Sequence, residues 1–566
     1  MTTRQVLGVF LALAAVTLQQ PADLLKDFCR IFGHQTAVID RTLYIDGGFV
    51  NYNPLSQHPL NDTNTALLYA DVDIINYDGM PTVYDNLTKP ADAPDVNGGI
   101  LWSDSVNKML YLYGGEFSQG SPANLSIWTY DALYHQWSPM KPDATQKNIQ
   151  RASYGAGVAL QDRAAGFYYG GWLSNASVPA WGSLPPMALS GLLEYDMLQN
   201  SWTNSTGPDT VGRAEGVMVY IPSSEGMLVY FGGVKTPYSN GTVVGQPMDE
   251  ILLYDISGSK WYTQKATGQV PEQRRRFCAG VTWAQDYSSY NIYFYGGLSI
   301  AEGPGFDDVY ILTLPSFRWI KWYPVAPGPG YPHHSMSCTV IDGAQMIVMG
   351  GTYPNSTDCD VPKVIGMHNM YLGKQNPQNA IWARFRPNIT TYQVPTEIIS
   401  VIGGSPTGGA TTKTPANGFD DRDLEIFFQR VYTAPTRQPT RAIPTSTEPP
   451  STSAKSTPVG AIVGGVVGGV CGVSAAAVIL YCCWRRKKSA PTEAEEEMKE
   501  SELPELDAFA AGPEQPSRRS ELHGSLLVEL EGDTAMKMSP SSHPILSDDA
   551  ISPATSQRRS ATSTFS

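Results

Sequence analysis

Six times between His34 and Pro387 a run of β-prone residues ends in a pair of glycines. The runs are LYIDGG (43–48), LYLYGG (110–115), GFYYGG (166–171), LVYFGG (228–233), IYFYGG (292–297) and MIVMGG (346–351), spaced 54 to 67 residues apart. A fixed period of this length predicts one supersecondary unit per repeat, stacked on its neighbours. Four repeats continue into a second strand, WTYD (128–131), LEYD (193–196), LLYD (252–255) and VYIL (309–312). Trp137, Trp202, Trp261, Trp319 and Trp382 then open a short fourth strand. A first strand precedes each glycine pair: HQTAVID, RASYGAGV, AEGVMVYI, RRFCAGVTW and HHSMSCTVI are its clearest copies.

A four-stranded sheet of this kind cannot bury both faces alone. The paired glycines, Gly47 with Gly48, Gly114 with Gly115, Gly170 with Gly171, Gly232 with Gly233, Gly296 with Gly297 and Gly350 with Gly351, permit positive φ and close backbone approach where strand two leaves the sheet. The Asp accepts turn hydrogen bonds, and the Trp supplies area to pack sheet on sheet. Six such sheets set radially bury their faces mutually and leave few free edges. The spectrum of strands, double glycines, Tyr-Asp and spaced Trp resembles kelch repeats, which implies an all-β, six-bladed kelch β-propeller over residues 34–390. The pattern weakens at both ends: no Trp marks strand four of blade one, and NMYLG (369–373) replaces Tyr-Asp in blade six. EIISVIGG (397–404) again ends in two glycines, so a seventh, degenerate blade is the alternative.

Strand direction alternates within a blade, so the connections between strands two and three emerge on the same face as those between blades. The inserts at 49–65, 172–190, 234–247 and 352–367 make this the long-loop face, where binding on a rigid scaffold concentrates. Eight Asn-x-Ser/Thr sequons, at Asn61, Asn86, Asn124, Asn175, Asn204, Asn240, Asn355 and Asn388, are expected on that face or its rim. Copper radical oxidases related to galactose oxidase also use a kelch-type propeller, which makes Tyr331, His333, His334 and Cys338 a copper-ligand candidate. The cluster falls where other blades carry Arg151 or Arg274 to Arg276, however, and the reading adopted is an inter-blade structural site. No enzyme, metal or cofactor is expected. Of the four cysteines before residue 459, Cys278 and Cys338 read as small buried core residues, and Cys29 with Cys359 as a staple between the first and last blades.

Residues 1–20 carry Arg4 and a short apolar run, the form of a signal peptide, ahead of an ectodomain at 21–432. Residues 433–458, rich in Thr, Ser and Pro, read as an O-glycosylated stalk. Residues 459–484 hold no charge and are followed by Arg485, Arg486, Lys487 and Lys488, which predicts one transmembrane helix with the propeller outside. Its repeated glycines suit a homodimer, and Cys482 and Cys483 are palmitoylation candidates. Residues 485–566 form an acidic, disordered cytoplasmic tail with phosphorylation candidates at Ser520, Ser539, Ser552 and Ser560. A net charge of -14 excludes a nucleic-acid partner as the expectation. The layout resembles single-span fungal surface proteins, including the kelch-repeat membrane proteins described as cell-wall-anchored. It implies a plasma-membrane glycoprotein binding an extracellular protein or cell-wall polysaccharide.

Overall fold

The computed structural model describes residues 22–237, 242–300, 303–324, 330–374 and 380–444. They belong to the first of two compact units, residues 1–448. Asn240, the signal-like start, the proposed membrane segment with Cys482 and Cys483, and the tail with its four serines lie outside the described residues. Among the described residues no helix is long and apolar enough to cross a membrane.

Four antiparallel four-stranded sheets and a fifth, to whose outer strand Arg318–Tyr323 the short Thr267–Gly268 adds a parallel pairing, follow one another along the chain, with first strands Gln35–Ile39, Asn97–Asp104, Ala156–Leu160, Val217–Ile221 and Cys278–Trp283. A sixth holds three strands, Ser337–Ile341, Gln345–Met349 and Met367–Tyr371. The first strands of successive sheets lie side by side, and the sixth lies against the first. The closure is also written in backbone hydrogen bonds. Just before each first strand, one amide donates to its counterpart in the preceding blade: Gly98 to Gly33, Tyr154 to Gly98, Glu215 to Tyr154, Arg276 to Glu215, Ser335 to Arg276, and Gly33 back to Ser335, all at 2.7–2.9 Å. This cycle of six amides fixes the blade number at six.

The glycine pairs make the inter-blade joint. The second glycine of each donates its N–H to the next blade at 2.8–2.9 Å, onto the carbonyls of Val96, Ala152, Arg213, Arg274, His333 and Ile31. All twelve glycines have φ between +63° and +113°, and at five of the six leading positions a Cβ would run into that same carbonyl. The aromatic residue before the pair then packs on the Trp of the next blade: Tyr113 on Trp202, Tyr169 on Trp261, Phe231 on Trp319 and Tyr295 on Trp382, with centroids 4.9–5.6 Å apart. The Tyr-Asp carboxylates cap the turn before strand four, Asp131 accepting from Leu133 N at 2.9 Å and Asp196 from Leu198 N at 2.8 Å.

Two expectations are corrected, and the alternative of a seventh blade falls. Trp382 opens no fourth strand: after one rung, Ala383 N to Asn369 O, the chain turns so that Phe385 N donates to Gly79 O of blade one. EIISVIGG contains a helix, α1 (Thr396–Ile402), and not a seventh blade, because Ile398 and Ile402, four residues apart, bury together beneath it. Residues 433–441 are not free stalk. From Tyr392 a strap crosses the short-turn face and the outer edge of blade four, bonding Tyr293, then Asp286 and Ser288, then Lys260 and Lys265 beside α2 (Arg422–Phe427), then Asp162. It ends on blade two, where Arg437 pairs with Asp104 and Arg441 with Asp131.

Candidate functional site

The six-amide cycle rims one end of the central channel, on the long-loop face. Its six residues all sit at positive φ, including the four that are not glycine: Tyr154 (+52°), Glu215 (+61°), Arg276 (+55°) and Ser335 (+61°). Left-handed backbone costs such residues about 1 kcal/mol each, and here it is imposed by the closed hydrogen-bond cycle. Glycine at positions 33 and 98 makes room for the Tyr154 ring, which leans over them, while Glu215 and Arg276 crowd the other side of the rim. Between them lies a cavity of about 140 Å3, of the size of one side chain.

The crowded side is a charged, aromatic cluster. The buried Glu215 carboxylate lies 3.0 Å from Arg276 Nη2 and 3.3 Å from Arg275 Nη1, and accepts from Trp172 Nε1 at 3.3 Å. The Arg276 guanidinium sits over the Tyr154 ring, 4.2 Å from its centroid, and Tyr154 Oη donates to Asn97 Oδ1 at 2.6 Å. Beside them burial raises the Glu116 carboxyl, with Ser153 Oγ donating to it at 3.1 Å and opposing the shift. Burial, then Arg276 and Arg275, push His334 down to about 4, so at neutral pH it offers a neutral ring, in hydrogen bond with Ser335 Oγ. Arg275 and Arg276 both reach the Glu215 carboxylate. Arg275 Nε and Arg276 Nε are buried and have no hydrogen-bond partner among the described residues. A guanidinium stacked on an aromatic face at the cavity wall, as Arg276 is on Tyr154, suits a polar or acidic group from outside.

The sequence candidates fall out as follows. Seven sequons are described and all seven Asn are exposed. Asn61, Asn124, Asn175 and Asn355 lie in loops between strands two and three, and Asn86 and Asn204 near the long-loop ends of outer strands. Asn388 is the exception: Pro387 O accepts from Arg41 and Ile389 O from Gln345, beside turns of the opposite face, so the one-faced distribution fails there. The set Tyr331, His333, His334 and Cys338 does not converge. Cys338 is joined to Cys278, which also corrects the reading of those two as isolated core residues. Tyr331 is 60% exposed, and His334 turns to the channel rim. Cys29 and Cys359 form the expected staple. Arg151, Arg213 and Arg274 are buried at the joints between blades, as that structural reading requires. Glu215 and Tyr154 escaped the sequence reading, although aligning the repeats on their glycine pairs would have put both on the rim.

No protein-family model matches the chain. A Kelch repeat-containing protein of Arthroderma benhamiae is 28% identical to it over a stretch that covers 74% of this chain and 70% of that protein. The chain is similar to this kelch-repeat protein, and its six-bladed ring fits a propeller of that kind. Its propeller puts a six-bladed disc behind the rim, and the long inserts of blades one, three, four and six stand on that disc's long-loop face. Each insert is pinned by β pairing to its own blade's lead-in, as Phe49–Tyr52 is to Phe28–Phe32 and Val234–Thr236 to Gly212–Ala214.

Proposed function

We propose that this protein is a binding protein of the cell surface, which takes an acidic side chain of a protein partner into the channel rim while its long loops hold the flanking segment. The lopsided rim carries the reading: Arg276 and Tyr154, beside Glu215, line a cavity that fits one side chain, with Arg275 behind them on the Glu215 carboxylate. A deep catalytic cleft would be larger and enclosed. Surface display is supported by the signal-like start, the uncharged 459–484 segment with its cationic flank, and the sequons. Two disulfides support it too, since such bonds persist in oxidising compartments. A cytoplasmic tail with phosphorylation candidates would then connect binding to the cell interior, and the glycine-rich segment would pair two copies.

The test is proximity labelling on cells carrying the full chain, compared with Arg275→Glu/Arg276→Glu on the rim and Asp420→Lys on the strap. A partner captured by the native protein and by the strap variant, and lost from the rim variant, is the expected result. Capture that survives the rim substitutions removes the rim from recognition. Saturable binding of purified wall polysaccharide in place of a protein would move the ligand to carbohydrate.

A further inference from the structure

We propose that His333, Asp360 and His368, buried where blades five and six meet, bind one divalent transition-metal ion of the zinc class. This site is separate from the channel rim and does not depend on its reading. Three stretches of chain supply it: His333 the lead-in to blade six, Asp360 the long insert of that blade, His368 its third strand. One donor atom from each lies within 4.8 Å of the other two. Asp360 is held from behind, its amide donating to Cys29 O at 2.8 Å and its neighbour Cys359 bonded to Cys29.

The hydrogen bonds show that positive charge is wanted here. His333 Nδ1 lies 2.7 Å from the carbonyl oxygen of Tyr331, which can only accept, so this nitrogen carries the proton. In a neutral ring Nε2 then presents a lone pair. It has no hydrogen-bond partner among the described residues and sits 3.6 Å from Asp360 Oδ1. A lone pair facing a carboxylate in a buried place repels unless a cation stands between them. Asp360 Oδ2 is also buried without a partner, while Oδ1 takes bonds from Tyr353 Oη at 3.1 Å and His368 Nε2 at 2.8 Å.

The blades themselves supply the comparison. The carbonyl of His333 accepts from Gly297 as those of Arg213 and Arg274 accept from Gly171 and Gly233, so the three residues are equivalent. Arg213 meets Asp209 and Arg274 meets Asp308, each guanidinium balancing a carboxylate. Blade six keeps the carboxylate, replaces the guanidinium by an imidazole and adds a second. Two imidazoles and one carboxylate are a three-residue zinc ligand set. An Nδ1–H donated to a backbone carbonyl is the support that orients a metal-binding His. On binding, the proton now on His368 Nε2 moves to Nδ1 or leaves to solvent, and the lone pair so freed goes to the metal.

The experiment is calorimetric titration of ZnCl2 into the full chain after chelator treatment, with thermal unfolding followed with and without Zn2+. One equivalent should bind and raise the melting temperature. His368→Gln, at the open edge of the site, and Asp360→Asn should each weaken binding by about 100-fold or more and abolish the rise, while His58→Gln leaves both intact. If Asp360→Asn lowers the metal-free melting temperature, His368→Gln carries the test. Absence of a zinc-dependent rise in the native chain, or a rise that persists in His368→Gln, overturns the proposal.

Discussion

At Gly350, a methyl group would meet the carbonyl oxygen of Ile31 across the joint between blades six and one, on backbone at φ +63°. Gly350→Ala is therefore expected to cost roughly 3 kcal/mol or more, adding left-handed strain to a steric clash with backbone that cannot retreat. Gly120 has a similar φ of +76° and nothing within 4 Å, so Gly120→Ala should cost only about 1 kcal/mol. Melting temperatures of the two variants separate close approach from φ. The repeat glycines were legible because one physical demand recurs at every joint. His34 lies at the same joint, with Nε2 bonded to Ser337 Oγ at 2.9 Å and Nδ1 without a partner, and burial lowers it to about 4. Because the unfolded chain binds this proton near pH 6.5 and the folded one does not, stability falls as pH drops from about 6.5 through 4. The loss is on the order of 3 kcal/mol, and unfolding of His34→Gln across that range should show a flatter profile. His368 and Asp360 gave no sequence signal, since neither is one of the residues that recur from repeat to repeat and their distance apart is fixed by a loop.

Elements were legible where one periodicity served one purpose. The strands of blades two to five follow their Gly-Gly and Tyr-Asp markers, and the Trp sits where predicted because Tyr130 with Trp137 and Tyr195 with Trp202 are cross-strand partners. Trp382 shows the limit of that logic, because it keeps the inter-blade contact with Tyr295 and loses its strand. In α1 the glycines end a helix, with Gly403 at φ +75°, so the same dipeptide meets the same backbone need in another element. Residues 433–441 of the strap were read as stalk because single side chains dock them, and composition does not register those. Asp104 is fully buried and Arg437 is its ion-pair partner, so Arg437→Ala should lower stability by about 1–3 kcal/mol. It should also open residues 433–444 to limited proteolysis while the blades stay resistant.

The whole ring closes without an interlocked blade, since the main strands of each blade come from one stretch of chain in order. The joint of blades six and one rests on the Gly33 and Gly351 amides, on His34 with Ser337, on Arg41 with Asp342, and on the Cys29–Cys359 bond across 330 residues. Removing that bond as Cys29→Ser/Cys359→Ser should cost roughly 3–5 kcal/mol, more than Cys278→Ser/Cys338→Ser, whose bond spans 60 residues. Comparing melting temperatures of the two double variants checks the order. The strap adds a consequence of another kind. Pulled from its carboxyl end, the chain would not shear the disc but peel from blade two back towards blade five, one ion pair or hydrogen bond at a time. About fifty residues would pay out on the order of 150 Å of slack before any blade felt tension, which makes the underside of the disc a shock absorber for whatever the loops above have grasped.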